Sequence, residues 1–199
     1  MTVAHDDAHW VAYNAVRGSR PPRDLLVRAA ATAGPGRGRT AIDLGCGAGV
    51  ETRALLDAGW RVHAIDGAPG TEAVVRRTVG GVYDRLTVTN QHYAELTALP
   101  PADLVYSGYA LPYQPRESFD RIWGLVRGAL RPGGVLAVNL FGDHDEWAGT
   151  EGETFLTVAE ARQLFDGLDL VSWEEEDAPG PAYGGDKHWH VFHAVAVRP

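Results

Sequence analysis

The sequence predicts a three-layer α/β domain: a doubly wound, mostly parallel sheet of seven strands, its last strand antiparallel, with capping helices at the N-terminal end. Three observations carry this. From residue 40 onward, apolar strand-like runs alternate with helix-like segments, the pattern of βαβ units whose sheet is covered on both faces. A strand turns through Gly45, Gly47 and Gly49 directly into a helix. Finally, the last two apolar runs are separated only by Ala178 to Gly185, which leaves no room for a crossover helix and predicts an antiparallel hairpin.

The N-terminal segment, Asp7 to Ala15 and Pro22 to Ala33, reads as two helices capping the sheet, with Gly34-Pro35-Gly36-Arg37-Gly38 as the linker into the first strand. Strands are expected near 40–44, 61–65, 85–90, 103–107 and 134–141, then Leu168 to Glu174 and His188 to Val197. Helices are expected near 49–58, after Pro69 at about 70–79, at about 115–130 before Arg131-Pro132-Gly133-Gly134, and after Thr157. No internal repeat or low-complexity tract interrupts this order. The chain of 199 residues is therefore expected to be one domain, 1–199, with lid or capping helices over 1–38 and the ligand-binding core over 39–199.

Composition narrows the function classes. Hydrophobic content of 45% and charged content of 22% suit an ordinary soluble globule, and no apolar run approaches the length of a membrane span. The formal charge of −8, with no basic stripe or aromatic platform, argues against nucleic acid as a partner. Met1-Thr2-Val3-Ala4-His5-Asp6-Asp7 has neither a basic nor an apolar leader region, and the single cysteine, Cys46, fits a reducing compartment. A cytoplasmic protein is expected. Nothing in these counts speaks against a homodimer.

The most informative stretch is Thr40-Ala41-Ile42-Asp43-Leu44-Gly45-Cys46-Gly47-Ala48-Gly49-Val50-Glu51-Thr52. Glycines at the bend let the backbone approach a ligand closely, and the first turn of the following helix offers free N–H donors. This is a nucleotide cradle with an unusual carboxylate. Dinucleotide sites use G-x-G-x-x-G to receive a diphosphate. Here the spacing is D-x-G-x-G-x-G, and Asp43 would repel a diphosphate and welcome a cation. Arg61-Val62-His63-Ala64-Ile65-Asp66 is a second strand ending in an acid, suited to accept both ribose hydroxyls.

These residues resemble motif I and the following strand of the class I, Rossmann-like methyltransferases that use S-adenosylmethionine, and the resemblance covers about residues 40–198. It implies S-adenosylmethionine as cofactor and S-adenosylhomocysteine as product. It implies that Gly45, Cys46 and Gly47 pass close to the methionyl part, Asp43 receives the ammonium directly or through water, and Asp66 with Gly67 meets the ribose. Gln91 or His92 would meet the adenine, and Asn90 stands beside them; these positions also read as plain loop. Tyr106-Ser107-Gly108-Tyr109-Ala110-Leu111-Pro112-Tyr113 and Leu140-Phe141-Gly142-Asp143 are similar to the small tellurite-resistance-type branch. Tyr106 and Leu111 would line the sulfonium, whose charge an aromatic face attracts. Trp10 to Asn14 and Arg20-Pro21-Pro22 resemble that branch's lid, with Tyr13 and Arg20 closing on the cofactor carboxylate; Arg20 could equally be solvated.

Methyl transfer is an in-line displacement that asks mainly for alignment and exclusion of water, and a base only when the acceptor is protonated. Asp143-His144-Asp145 with Trp147 offers one, His144 being flanked by carboxylates that raise its pKa; the same run reads as a solvated acidic loop. Tyr109 is the further catalytic candidate, although Tyr109 and Tyr113 could simply pack on the next helix. Trp10, Tyr113, Trp147, His188 and His190 are the candidate substrate contacts. His188 and His190 share one strand face and with Asp143 could hold a metal, yet no other ligand spacing supports one, so no metal is expected. Trp189 reads as packing and Trp173-Glu174-Glu175-Glu176-Asp177 as a solvated strand end. The resulting expectation is methyl transfer to a small molecule, preferably a specialised metabolite. Alternatives are detoxification of a chalcogen oxyanion or thiol, and a protein that binds S-adenosylmethionine without methyl transfer.

Overall fold

The computed structural model describes residues 6–81 and 83–199; Met1 to His5, part of the stretch read above for a leader, lie outside them. Helices α1 (Asp7–Arg17) and α2 (Asp24–Ala33) precede β1 (Thr40–Leu44), α3 (Val50–Asp57), β2 (Arg61–Asp66), α4 (Thr71–Val79), β3 (Leu86–Asn90) and β4 (Ala102–Ser107). Then follow α5 (Arg116–Ala129), β5 (Leu130–Gly142), β6 (Phe155–Leu156), α6 (Val158–Gln163), β7 (Asp169–Ala182) and β8 (Gly185–Val197). A 3₁₀ turn over Tyr93–Glu95 lies between β3 and β4.

The strands form one sheet in the order β3-β2-β1-β4-β5-β8-β7. The first five pair in parallel and β8 runs antiparallel between β5 and β7. Alternation along each strand splits the core in two. On one face Ile42, Val105, Leu136 and Phe192 meet α5 through Phe119 and Ile122 and α6 through Ala161. On the other, Ala41, Leu104, Ala137 and Val195 meet α2, α3 and α4 through Leu26, Leu55 and Val75. Helix α6 starts where Thr157 and Glu160 form a reciprocal capping box.

Three details depart from expectation. The Ala178–Gly185 stretch is not a loop, because β7 stays paired to β8 as far as Ala182 opposite Gly185, leaving Tyr183 and Gly184 as the turn. Pro179 and Pro181 are tolerated there because β7 is the sheet's edge, where a missing N–H interrupts no second ladder. The two-residue β6 adds an eighth strand beside β5, too short to leave a pattern in sequence. Helix α1 continues two residues past Ala15, to Arg17. Among the described residues no helix is long and apolar enough to cross a membrane.

Candidate active site

The bend after β1 is fastened before any ligand arrives. The amides of Gly45 and Cys46 both donate to Ile65 O, at 2.8 and 3.0 Å, so the turn hangs from the end of β2. Gly45, Gly47 and Gly49 have φ of 78°, 51° and 79°, values that glycine adopts without strain. Crowding adds to the requirement: a Cβ on Gly47 would lie 2.8 Å from Asn14 Oδ1 of α1. Asp66 completes the bend, accepting from Gly47 N at 2.8 Å and from Ala68 N at 2.9 Å. Asn90 Nδ2 holds the loop beyond it through Asp66 O and Ala68 O, both at 2.9 Å.

A cavity of about 700 Å³ opens above this bend at the carboxyl end of the sheet. Gly45, Cys46, Gly47, Asp66, Gly67, His92 and Tyr106 line its floor. Burial pushes the Tyr106 hydroxyl well above its usual pKa, and its Oη has no hydrogen-bond partner among the described residues. Trp10, Tyr13, Tyr109, Tyr113 and Trp147 give the cavity an aromatic wall. Helix α1 meets the β7–β8 turn to roof the cavity: the Tyr183 ring stands edge-on to Tyr13 at 5.4 Å and to His9 at 5.5 Å.

Asp43, Gln91 and Leu111 lie off the cavity wall. Asp43 is buried beneath the bend, its Oδ2 accepting from Thr52 Oγ1 at 2.6 Å, and does not face the open space. Burial, then the nearby charge of Glu51, lifts its pKa to about 7. Asp66 is raised as well, by burial against the opposing amide hydrogen bonds. Leu111 is fully buried in the core, and Gln91 turns its amide back to Glu95 O at 3.0 Å. Arg20 reaches the wall but forks onto Glu51, at 2.6 and 2.7 Å, instead of presenting a free guanidinium. That pairing arises because Glu51, on the first turn of α3, is itself buried.

Asp143, His144, His188 and His190 border no part of the cavity. They form a ladder along the outside of the hairpin. Asp177 takes His144 Nδ1 on one oxygen at 3.0 Å and His188 Nε2 on the other at 2.6 Å. These contacts, the His144 one first, hold the Asp177 carboxyl at about 2 and raise the His144 imidazole. His190 Nδ1 accepts the His144 amide at 3.0 Å, leaving Nε2 to donate to Glu175 at 3.1 Å. The ligand atoms of His144, Asp177 and His190 lie within 4.8 Å of one another, but both nitrogens of His190 are already engaged.

Several wall residues escaped the sequence reading: Asn14, Arg17, Arg23, Glu51, Tyr183 and Trp189. Arg17 and Arg23 sit three and six positions on from Asn14 and Arg17 respectively, so the helical spacing after Trp10 could have singled out Arg17. Arg23 lies over the Tyr109 ring at 4.6 Å and donates to Tyr13 Oη at 3.3 Å. Tyr109, with φ of 53°, is the one described non-glycine residue in the left-handed region. That conformation is uncommon for a bulky side chain and turns its ring toward the cavity.

Sheet order, fastened glycine bend and second-strand acid together define a Rossmann-like methyltransferase fold. Residues 41–134, just under half of the chain, match the family described as "Methyltransferase domain". A curated relative, the cypemycin N-terminal methyltransferase of a Streptomyces species, is 31% identical over 136 residues, 66% of this chain and 54% of its own length. The trans-aconitate 2-methyltransferase of Rhizobium leguminosarum is 31% identical over 127 residues, 61% of this chain and 44% of its own. The chain thus spans about half the length of the curated relatives it matches. Among solved structures, NodS, an N-methyltransferase of Bradyrhizobium japonicum bound to S-adenosylhomocysteine, has a TM-score of 0.75 at 17% identity, covering 96% of this chain and 97% of that one. At that identity the likeness concerns the fold.

Proposed function

We propose that this chain binds S-adenosylmethionine in the cavity above the Gly45–Gly49 bend and transfers its methyl group to a small molecule. The observation that carries this is the carboxylate of Asp66, buttressed by the Gly47 amide at 2.8 Å and bordering a cavity whose far wall is aromatic. The residues fit the group. Glycine keeps the bend tight beneath the cavity, Asp66 borders it with a carboxylate suited to a diol, and the charges of Glu51 and Asp66 both raise the buried Asp43 carboxyl, which a nearby cation would relieve. When bound, S-adenosylmethionine supplies an electrophilic methyl carbon with a neutral thioether as leaving group.

Each side chain then has a stated task. Asp66 accepts from the ribose, Gly45 and Gly47 admit the methionyl part, and Asp43 provides a field from beneath without contact. Arg17, over the Tyr13 ring at 5.0 Å and in no ion pair among the described residues, is the guanidinium left for the cofactor carboxylate. Arg20 positions Glu51 instead. The aromatic wall and the roof exclude water and orient the acceptor. A specialised metabolite is the preferred acceptor class. A detoxification substrate is less favoured because small oxyanions leave so large an aromatic wall unused, and a protein that only stores the cofactor would need no such wall. The cytoplasmic assignment is part of this proposal, supported by a single buried thiol.

Calorimetry with S-adenosylmethionine, S-adenosylhomocysteine and NAD tests the reading. Both sulfur compounds should bind, and Asp66→Ala should weaken them by at least tenfold, while NAD gives no heat. Binding of NAD in preference to both would overturn the assignment.

A further inference from the structure

The acceptor half of the cavity is backed by positive charge. Lys187 is a buried residue on β8 that does not border the cavity. Its ammonium lies 3.7 Å from the centre of the Trp147 ring and 4.0 Å from that of Trp189, two rings that do border it. It is held there by an ion pair with Asp145, whose carboxylate also accepts from Trp147 N at 3.0 Å and His190 N at 3.2 Å. The pair is neutral overall, but its positive end abuts the indoles. Arg23 does the same to Tyr109 at 4.6 Å.

A ring whose electron density is already drawn toward a cation on one face is a poorer host for a second cation on the other and a better one for an electron-rich π-system. Two carboxylates of the cavity wall already have partners. Glu176 is tied to His193 Nε2 at 3.1 Å and Glu51 to Arg20 at 2.6 Å. Resting on the reading above, we propose that the acceptor is a planar, electron-rich aromatic or heteroaromatic compound that binds as an anion, its ionised oxygen or ring nitrogen facing the methyl donor, against the wall that Tyr109, Trp147 and Trp189 form by packing on one another. Such an acceptor gives its lone pair to the methyl carbon while the carbon–sulfur pair returns to sulfur, and no proton has to be placed. The displacement of His144 and His188 from the cavity is then no handicap.

The test uses the full chain saturated with S-adenosylhomocysteine, with tryptophan fluorescence as readout and three probes: 4-nitrophenolate, phenyltrimethylammonium and hexanoate. The phenolate should bind at least tenfold tighter than either other ion. In the paired variant Lys187→Met with Asp145→Asn its advantage over the aromatic cation should shrink several-fold. Trp189→Leu, which keeps the ion pair, should lose phenolate binding while retaining S-adenosylhomocysteine. Equal or tighter binding of the cation, or of the aliphatic anion, by the unaltered chain would overturn the inference, as would phenolate binding indifferent to Trp189. Failure of S-adenosylhomocysteine itself to bind strikes the proposed function instead, and is read separately.

Discussion

Asp43 illustrates how a residue's place, more than its identity, sets its role. Its carboxyl is pushed up to about 7, mainly by burial, so the folded chain keeps a proton there that the unfolded chain releases near pH 4. Stability contributed by that proton is present below about pH 4 and is lost as pH rises toward 7, after which the penalty is constant. Asp43→Asn should therefore melt higher than the parent at pH 8, by roughly 2–4 °C for each kcal/mol relieved, and match it near pH 4; the two melting curves check this. Cation binding has the opposite sense. Affinity for S-adenosylmethionine should rise up to about tenfold from pH 6 to pH 8, since ionisation at 7 goes from about a tenth to nine tenths, and this slope should flatten in Asp43→Asn. Lys187→Met alone should be costly, about 3–5 kcal/mol, because it strands a buried carboxylate; chemical denaturation of that variant against the paired one measures the difference.

Between elements, the governing feature is the ladder joining β7, β8 and the 143–147 loop. The Asp177 contribution is present above the ordinary carboxyl range and is lost as pH falls toward 2; the His144 contribution is present below about 6.5 and fades as pH rises through its elevated value. Both charges coexist between about pH 4 and 6.5, where the loop should be held best. NMR titration should find His144 above 6.5, falling back toward it in Asp177→Asn. This ladder was invisible in the linear text, where Glu174 to Asp177 is merely acidic and the histidines merely alternate. Period-2 alternation shows which side chains share a face; it does not show which acid of the neighbouring strand lies opposite. By contrast, the bend at Gly45–Gly49 and the acid at Asp66 were legible because they are local: glycine spacing and a strand-final carboxylate report backbone geometry within a few residues. His144 misled because adjacency to Asp143 and Asp145 says nothing about direction, and the loop points outward. Arg20, between α1 and α2, misled because its partner Glu51 lies far along the chain on α3.

For the whole molecule, ligand binding should act as a clamp. S-adenosylhomocysteine at a hundred times its dissociation constant should add about 2.7 kcal/mol, or roughly 5–11 °C in melting temperature for a chain of this size, and differential scanning fluorimetry reads it directly. The succession of strands and helices and the antiparallel last strand were foreseeable because strand and helix periods and the short final connection are written in the sequence itself; the roof was not, because it is assembled from His9, Tyr13 and Tyr183, from opposite ends of the described chain. That separation carries a temporal consequence. A ribosome that has finished β4 has already made every residue of the floor, yet the nascent protein must wait for the final hairpin before the cavity can be roofed.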